Sequence, residues 1–142
     1  MIAEKVQEIR RRMAQAALAA GRRPEEILLC AATKMNDAER VRQAVAAGVD
    51  CCGENRVQEL VQKSAEHAYD GAPVHFIGHL QTNKVRQVVG RVSLIQSVDR
   101  TELLECIERE AGRQGVVQDI LLEINVAAEE SKSGFAPEQA PE

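Results

Sequence analysis

The fold of this chain is decided by the stretch Ile27-Leu28-Leu29-Cys30-Ala31-Ala32-Thr33-Lys34, in which seven uncharged, mostly apolar residues lead into a lysine. A run of this length that is apolar on both faces predicts a fully buried strand of a parallel sheet. The residues Met35-Asn36-Asp37 and a helical pattern come directly after it. The sequence therefore predicts that Lys34 lies at the carboxyl end of a strand, where the chain turns into a helix.

This position gives Lys34 a chemical interpretation. The carboxyl ends of strands are where α/β sheets and barrels place their chemistry. Partial desolvation there disfavours the charged amine and leaves a nucleophile. Such an amine forms a Schiff base with an aldehyde or ketone. The alternative is a strand-end lysine that only extends its aliphatic stem to solvent, and position alone leaves both interpretations open.

Strand and helix patterns alternate along the rest of the chain. After an amphipathic first helix, strand patterns occur at residues 27–34, 49–55, 74–79, 93–98 and 119–126. Asp99 and Glu102 predict a capping box for the helix that follows the fourth strand. Strict alternation predicts an α/β fold with a parallel sheet and right-handed crossovers. An open doubly wound sheet and a (β/α) barrel both fit, but no GxGxxG motif follows the first strand.

Each predicted strand ends in polar residues. Reading only these ends gives Lys34, Asn55, His79, Ser97 and Asn125. Because parallel strands bring their carboxyl ends to one rim, we expect these residues to converge as they do in a barrel active site. Each has a structural alternative, since short polar side chains at loop starts commonly cap a helix or a loop.

The composition narrows the class of function. The chain has 142 residues, of which 44% are hydrophobic, 28% charged and 2% aromatic, and its net charge is -4. We expect one domain over residues 1–142. The sequence has neither the basic footprint nor the stacking platforms of a nucleic-acid-binding protein. Because it has no apolar run of about eighteen residues and no apolar signal region, we expect a cytoplasmic protein without a membrane partner.

The cysteines give no sign of a metal site. The four cysteines are not in a CxxC spacing, and two lie within apolar strand patterns; they are Cys30, Cys51, Cys52 and Cys106. This arrangement predicts reduced, buried thiols rather than a zinc site or disulfides. We therefore expect no bound metal.

Five segments of the chain resemble one protein family, the pyridoxal phosphate homeostasis proteins. They are residues 31–34, 53–59, 75–84, 97–99 and 130–134. The resemblance runs in register from the first helix to the end of the chain, and His-Phe-Ile-Gly-His-Leu-Gln-Thr-Asn-Lys at 75–84 is its most specific part. It implies the alanine-racemase N-terminal type of (β/α)8 barrel, a TIM-type barrel. Thr33 stands where many relatives have serine, which leaves the chemistry intact.

The resemblance also implies the cofactor and the site. Lys34 matches the lysine that binds pyridoxal 5'-phosphate as a Schiff base, with Asn55 and His79 lining the ring pocket and Ser97 and Asn125 on the same rim. The family is thought to bind, buffer and deliver this cofactor, which implies pyridoxal-phosphate-dependent apoenzymes as partners.

The length departs from this family. A complete (β/α)8 barrel needs about 250 residues, and the sequence predicts five of eight strands. We therefore expect the chain to be incomplete at its C-terminus. The resemblance places the phosphate-binding segments, and the arginine near the pyridine nitrogen, late in the family's sequences. We expect the full-length form to be a monomer and the 142-residue form to bind the cofactor weakly and to self-associate.

The alternative function is an amino-acid racemase or decarboxylase of the same fold. Racemisation needs a second acid or base on the opposite face of the cofactor. In alanine racemases that group is a tyrosine from another domain. The one tyrosine of this sequence is Tyr69, which precedes the third strand and so belongs to the opposite rim. We therefore expect a cofactor carrier rather than an enzyme.

Overall fold

A parallel sheet of five strands forms the centre of the computed structural model, which describes residues 1–140. The strands are β1 Cys30–Ala32, β2 Cys51–Glu54, β3 Val74–Phe76, β4 Leu94–Val98 and β5 Ile120–Leu122. Their order in the sheet is their order in the sequence. A doubly wound sheet reverses its strand order at a switch point, whereas the wall of a (β/α) barrel does not. The predicted parallel sheet of barrel type is therefore confirmed, and the doubly wound alternative does not describe this fold.

One helix precedes β1, and four helices connect successive strands. They are α1 Ile2–Ala19, α2 Ala38–Ala46, α3 Val57–Ala65, α4 Val85–Val88 and α5 Thr101–Gln114. Asp37 caps α2 by accepting a hydrogen bond from the Arg40 N–H across 2.9 Å. The capping box predicted for α5 is wrong, because the N-cap is Arg100 and it makes no side-chain cap. None of the helices within residues 1–140 combines the length and the apolar character that crossing a bilayer requires.

The core lies between the sheet and the helices. Its fully buried side chains come from both layers and include Phe76, Ile95, Leu60, Val88 and Leu103. In the register of the sheet, Cys52 pairs with Val74 and Phe76 with Ile95, so apolar side chains of neighbouring strands continue one layer. Burial of this layer supplies the main favourable term in folding.

The opposite face of β1 is exposed, which corrects the prediction of a strand buried on both faces. Cys30 and Ala32 are exposed, and Leu28 just before the strand is 68% exposed. The alternate residues Leu29 and Ala31 pack against the core. Because successive strand side chains point to opposite faces, this alternation shows that the described elements cover one face of β1 only. The strand is also shorter than predicted.

Candidate functional site

The predicted site residues follow or end neighbouring strands. Lys34 comes two residues after β1, Asn55 directly after β2 and His79 three residues after β3. Ser97 lies in β4, one residue before its end, and Asn125 comes three residues after β5. Since all five strands are parallel, these positions belong to one edge of the sheet. The Lys34 residue is exposed among the described residues, and partial desolvation of its amine stays a prediction.

Asn55 and His79 line one cavity. Its volume is about 390 Å³, and the basic residues Arg56 and Lys84 are among the others that line it. A β-carbon built on Gly78 would lie 2.7 Å from the Asn55 Cα, so only glycine allows the loop after β3 to approach this closely. The glycine before His79 thus brings the imidazole to the end of β2.

Two polar atoms at this edge are buried without a partner. Asn55 Oδ1 accepts no hydrogen bond among the described residues, and Ser97 Oγ neither accepts nor donates one there. The Ser97 residue is 4% exposed. Buried polar groups in native proteins are nearly always paired, and an unpaired one costs about 1–3 kcal/mol. Neither side chain caps a helix or a loop within the described residues, so the structural alternative that the sequence left open does not apply to them.

His79 lies beside a carboxylate that the sequence analysis interpreted otherwise. His79 Nδ1 is 3.5 Å from Asp99 Oδ2, and Arg100 holds the same carboxylate through Oδ1 across 2.6 Å. The Asp99 side chain is 6% exposed, whereas that of His79 is 62% exposed. Asp99 therefore binds the Arg100 guanidinium and lies beside the imidazole instead of capping α5.

Asn125 is engaged by the loop that follows β5. Its Nδ2 donates to the Glu129 carbonyl across 2.7 Å, and its Oδ1 accepts from the Glu129 N–H across 3.2 Å. Asn125 therefore caps this loop, which is the structural alternative that the sequence analysis left open for it. A contact between Asn125 and a cofactor stays a prediction.

Sequence analysis missed a buried polar network behind the end of β1. Glu54 is fully buried, and its Oε1 accepts hydrogen bonds from Lys63 Nζ at 2.9 Å, from the Tyr69 hydroxyl at 2.9 Å and from the Thr33 hydroxyl. Burial, followed by the charge of Glu54, raises the pKa of Tyr69. The available signal was Lys63 itself, a charged residue three positions after the buried Leu60 on the apolar stripe of α3.

Glu59 connects this network to the residue after Lys34. Its Oε1 accepts from the Met35 N–H across 2.8 Å and from Lys63 Nζ across 3.2 Å. Burial acts to raise the pKa of the Glu59 carboxyl, but these two contacts outweigh it and the pKa is lowered. Glu59 is therefore held as a carboxylate that accepts the Met35 N–H.

The cysteines bear out the sequence analysis in part. All four are free, and Cys51 and Cys52 are buried as predicted, whereas Cys30 is exposed because it lies on the uncovered face. Ligand atoms of Cys30, Cys51 and His75 lie within 4.8 Å of one another. Burial, followed by the contact with Cys30, raises the pKa of the Cys51 thiol to about 12.

Comparison with known proteins gives one family. Residues 3–142 match the family described as alanine racemase, N-terminal domain. The chain is 39% identical over 139 residues to the pyridoxal phosphate homeostasis protein of Aquifex aeolicus, covering 98% of this chain and 61% of that protein. It is 40% identical over 142 residues to the protein of the same name from Pseudomonas aeruginosa, covering 99% and 61%.

Solved structures agree with this match. An unknown protein from Bifidobacterium adolescentis is 38% identical with a TM-score of 0.86, over 98% of this chain and 60% of that one. PipY of Synechococcus elongatus with PLP bound is 32% identical with a TM-score of 0.78, over 97% and 59%. The chain therefore spans about three-fifths of the length of these relatives.

Proposed function

The chain belongs to the alanine racemase N-terminal domain family, and from that membership we propose that it is a pyridoxal 5'-phosphate-binding protein that takes part in homeostasis of the cofactor. The observation that carries the proposal is the placement of Lys34 at the carboxyl edge of a parallel sheet, beside strand ends that bear Asn55 and His79. The names of the relatives and the PLP-bound structure of PipY support it.

The residues at this edge fit such a cofactor. When bound, the cofactor supplies an aldehyde that condenses with a lysine amine as a Schiff base. Lys34 provides the amine and is exposed, so a small molecule reaches it. Asn55 Oδ1 is a buried acceptor that has no partner within residues 1–140, and a donor on a ligand would satisfy it.

Other residues of the chain orient these groups. Asp99 stands 3.5 Å from His79 Nδ1 and so favours one orientation of the imidazole at the cavity. Arg56 and Lys84 give that cavity positive charge, which suits an anionic ligand. Ser97 and Asn125 complete the set of cofactor-binding residues that we propose.

We propose a carrier rather than a catalyst. A racemase or decarboxylase would need a positioned acid or base besides Lys34. Tyr69 is 7% exposed and its hydroxyl donates to the buried Glu54 carboxylate. Its hydroxyl is thus committed to the buried Glu54 network, although the same carboxylate oxygen also accepts from Thr33 beside Lys34. Delivery of the cofactor to pyridoxal-phosphate-dependent apoenzymes in the cytoplasm is part of the same proposal.

The test is to locate the covalent adduct. The chain is mixed with pyridoxal 5'-phosphate, the visible absorption is recorded, and borohydride is added before peptide mapping. We expect the adduct on the peptide that contains Lys34, and we expect Lys34→Ala to abolish the absorption band. Lys5→Ala is the matched control, since Lys5 is an exposed lysine of α1. Reduction of the adduct onto Lys84 or Lys132 would overturn the assignment.

A further inference from the structure

The backbone on both sides of Lys34 is held by side chains of α3. Lys63 Nζ donates a hydrogen bond to the Thr33 carbonyl across 2.8 Å, immediately before Lys34. The Met35 N–H donates to Glu59 Oε1 across 2.8 Å, immediately after it. Residues four apart share one face of a helix, so a single turn of α3 holds both flanking peptide groups.

The turn after Lys34 needs such a contact. Met35 has a φ of 63°, in the left-handed region, although it is not glycine. That conformation costs roughly 1–2 kcal/mol for a residue with a β-carbon. The Met35 residue is 83% exposed, so packing of its side chain does not offset this cost. A strained turn persists where its surroundings fix it, and such turns cluster at functional sites.

Stabilisation of the fold alone does not explain the buried network of Lys63, Glu54 and Glu59. The Lys63 side chain is 6% exposed, and its ammonium donates its three hydrogen bonds to the Thr33 carbonyl and to the Glu54 and Glu59 carboxylates. The second oxygens of Glu54 and Glu59 are buried without a partner among the described residues. Buried ion pairs are often no more stabilising than well-packed apolar residues. What this arrangement does achieve is a fixed backbone on either side of one lysine.

We propose that Glu59 and Lys63 are positioning residues for the Lys34 amine. They act through the backbone at the end of β1 and present the amine in one orientation to a carbonyl-bearing cofactor. The inference rests on the proposed function of Lys34 and extends it to α3. Displacement of a reacting group by about 1 Å can slow a reaction by a factor on the order of 100, so loss of either contact is expected to be measurable.

Glu59 allows the cleaner test, because its side chain is 22% exposed and its truncation leaves Lys63 paired with Glu54. Three variants are compared. Glu59→Ala removes the acceptor for the Met35 N–H, whereas Glu59→Gln keeps an acceptor oxygen at the same position. Gln62→Ala is the control on the same helix, since among residues 1–140 the Gln62 side chain bonds only the exposed Glu66.

Two readouts are measured in the full 142-residue chain. The first is the rate at which the visible absorption appears after addition of pyridoxal 5'-phosphate. The second needs no cofactor and is the hydrogen exchange of the Met35 amide. We expect Glu59→Ala to react about tenfold more slowly or worse, with faster exchange at Met35. Glu59→Gln and Gln62→Ala should stay within about threefold of the unmodified chain in rate.

The outcomes separate the two proposals. If Glu59→Ala reacts at the rate of the unmodified chain, the positioning inference is overturned while the proposed function stands. The inference is also overturned if Gln62→Ala is slowed equally, or if Glu59→Gln is slowed equally with Met35 still protected. If borohydride traps no adduct at Lys34 in the unmodified chain, the proposed function fails and the inference fails with it.

Lys63 is tested in a background that avoids an unpaired buried charge. The double variant with Glu54→Gln and Lys63→Met removes both charges, and thermal unfolding confirms that it folds. We expect slower formation of the Lys34 adduct than in Glu54→Gln alone, because the Thr33 carbonyl loses the Lys63 ammonium and keeps the longer hydrogen bond from the Asn36 N–H at 3.2 Å. Equal rates in these two folded variants would remove Lys63 from the proposal.

Discussion

Gly78 packs directly against the backbone of Asn55: a β-carbon on Gly78 would lie 2.7 Å from the Asn55 Cα. The contact involves backbone rather than the end of a flexible side chain, so it cannot be relieved by a change of rotamer. The loop after β3 can thus lie this close to the end of β2 because residue 78 is glycine and has no β-carbon.

We expect Gly78→Ala to be destabilising. Overpacking of this kind costs about 1–3 kcal/mol in the free energy of unfolding. The measurement is urea-induced unfolding followed by circular dichroism. Gly112→Ala in α5 is the matched control, because a β-carbon there meets nothing within 4 Å, and alanine is favoured over glycine in a helix by about 1 kcal/mol. A Gly78→Ala variant as stable as the unmodified chain would contradict the close approach.

We expect Lys63→Met alone to be strongly destabilising. It leaves the fully buried Glu54 carboxylate without its cation, and breaking a buried pair from one side costs about 3–5 kcal/mol. The double variant with Glu54→Gln should regain most of that loss, because Thr33 and Tyr69 still donate to the glutamine oxygen. Denaturant midpoints of the single and double variants measure this. If the double variant is no more stable than Lys63→Met, the desolvation argument is wrong.

Stability should fall in acid partly through Asp50. Burial acts to raise the pKa of Asp50, but the Leu29 N–H and the Arg10 guanidinium outweigh it, so the pKa lies below its ordinary value of 3.8. A lowered folded-state pKa contributes stability that is present above the unfolded-state pKa and is lost as pH falls through the folded-state pKa.

The free energy of unfolding, measured from about pH 6 down to about pH 3, should therefore decline less steeply in Asp50→Asn than in the unmodified chain. Glu59 acts with the same sign, so Asp50→Asn should reduce the slope without abolishing it. Asp70→Asn is the control, since that side chain is 75% exposed. An unchanged slope in Asp50→Asn would show that its carboxylate is not linked to folding.

No racemase turnover is expected. The reason is that Tyr69, the single tyrosine of the chain, donates to Glu54 inside the core. The cofactor-loaded chain is incubated with L-alanine in deuterated water, and the amino acid is analysed for deuterium at the α-carbon and for the D-isomer. Formation of D-alanine faster than with free pyridoxal 5'-phosphate would favour the alternative function of an amino-acid racemase.

Self-association of the 142-residue chain is expected through the uncovered sheet. Its edge strands are β1 and β5, and exposed leucines lie at both: Leu28 is 68%, Leu121 50% and Leu122 42% exposed. Open strand edges and exposed apolar patches favour association. Sedimentation velocity should show concentration-dependent species that Leu28→Ser diminishes. A monodisperse monomer at all concentrations would contradict this.

The sequence predicted most of the elements because they follow from local patterns. The strand predicted at 93–98 is observed as β4 Leu94–Val98, and all five strands appear in a parallel sheet. The third strand was predicted too long, at 74–79, because the apolar run continues through Ile77 after the last paired residue, Phe76. Periodicity detects side-chain character and does not detect where pairing stops.

The site was predictable only at the ends of strands. Lys34, Asn55 and His79 were found because each follows a strand pattern, whereas the role of Glu59 depends on a contact with Met35 that spans 24 positions in the sequence. Nothing in the sequence predicts the left-handed φ of Met35, since that region favours glycine and Met35 has a long side chain. Asp99 gave a signal for a cap, but its carboxylate accepts a hydrogen bond from Arg100 and lies 3.5 Å from His79 Nδ1.

The order of the strands also bears on how the protein forms during synthesis. Each strand pairs with the one made just before it, so the sheet can grow from the N-terminus as the ribosome releases the chain. The partners that hold the peptides around Lys34 all lie between residues 33 and 63. We expect the backbone around the lysine to be fixed as soon as α3 has emerged from the ribosome, before β3 has emerged.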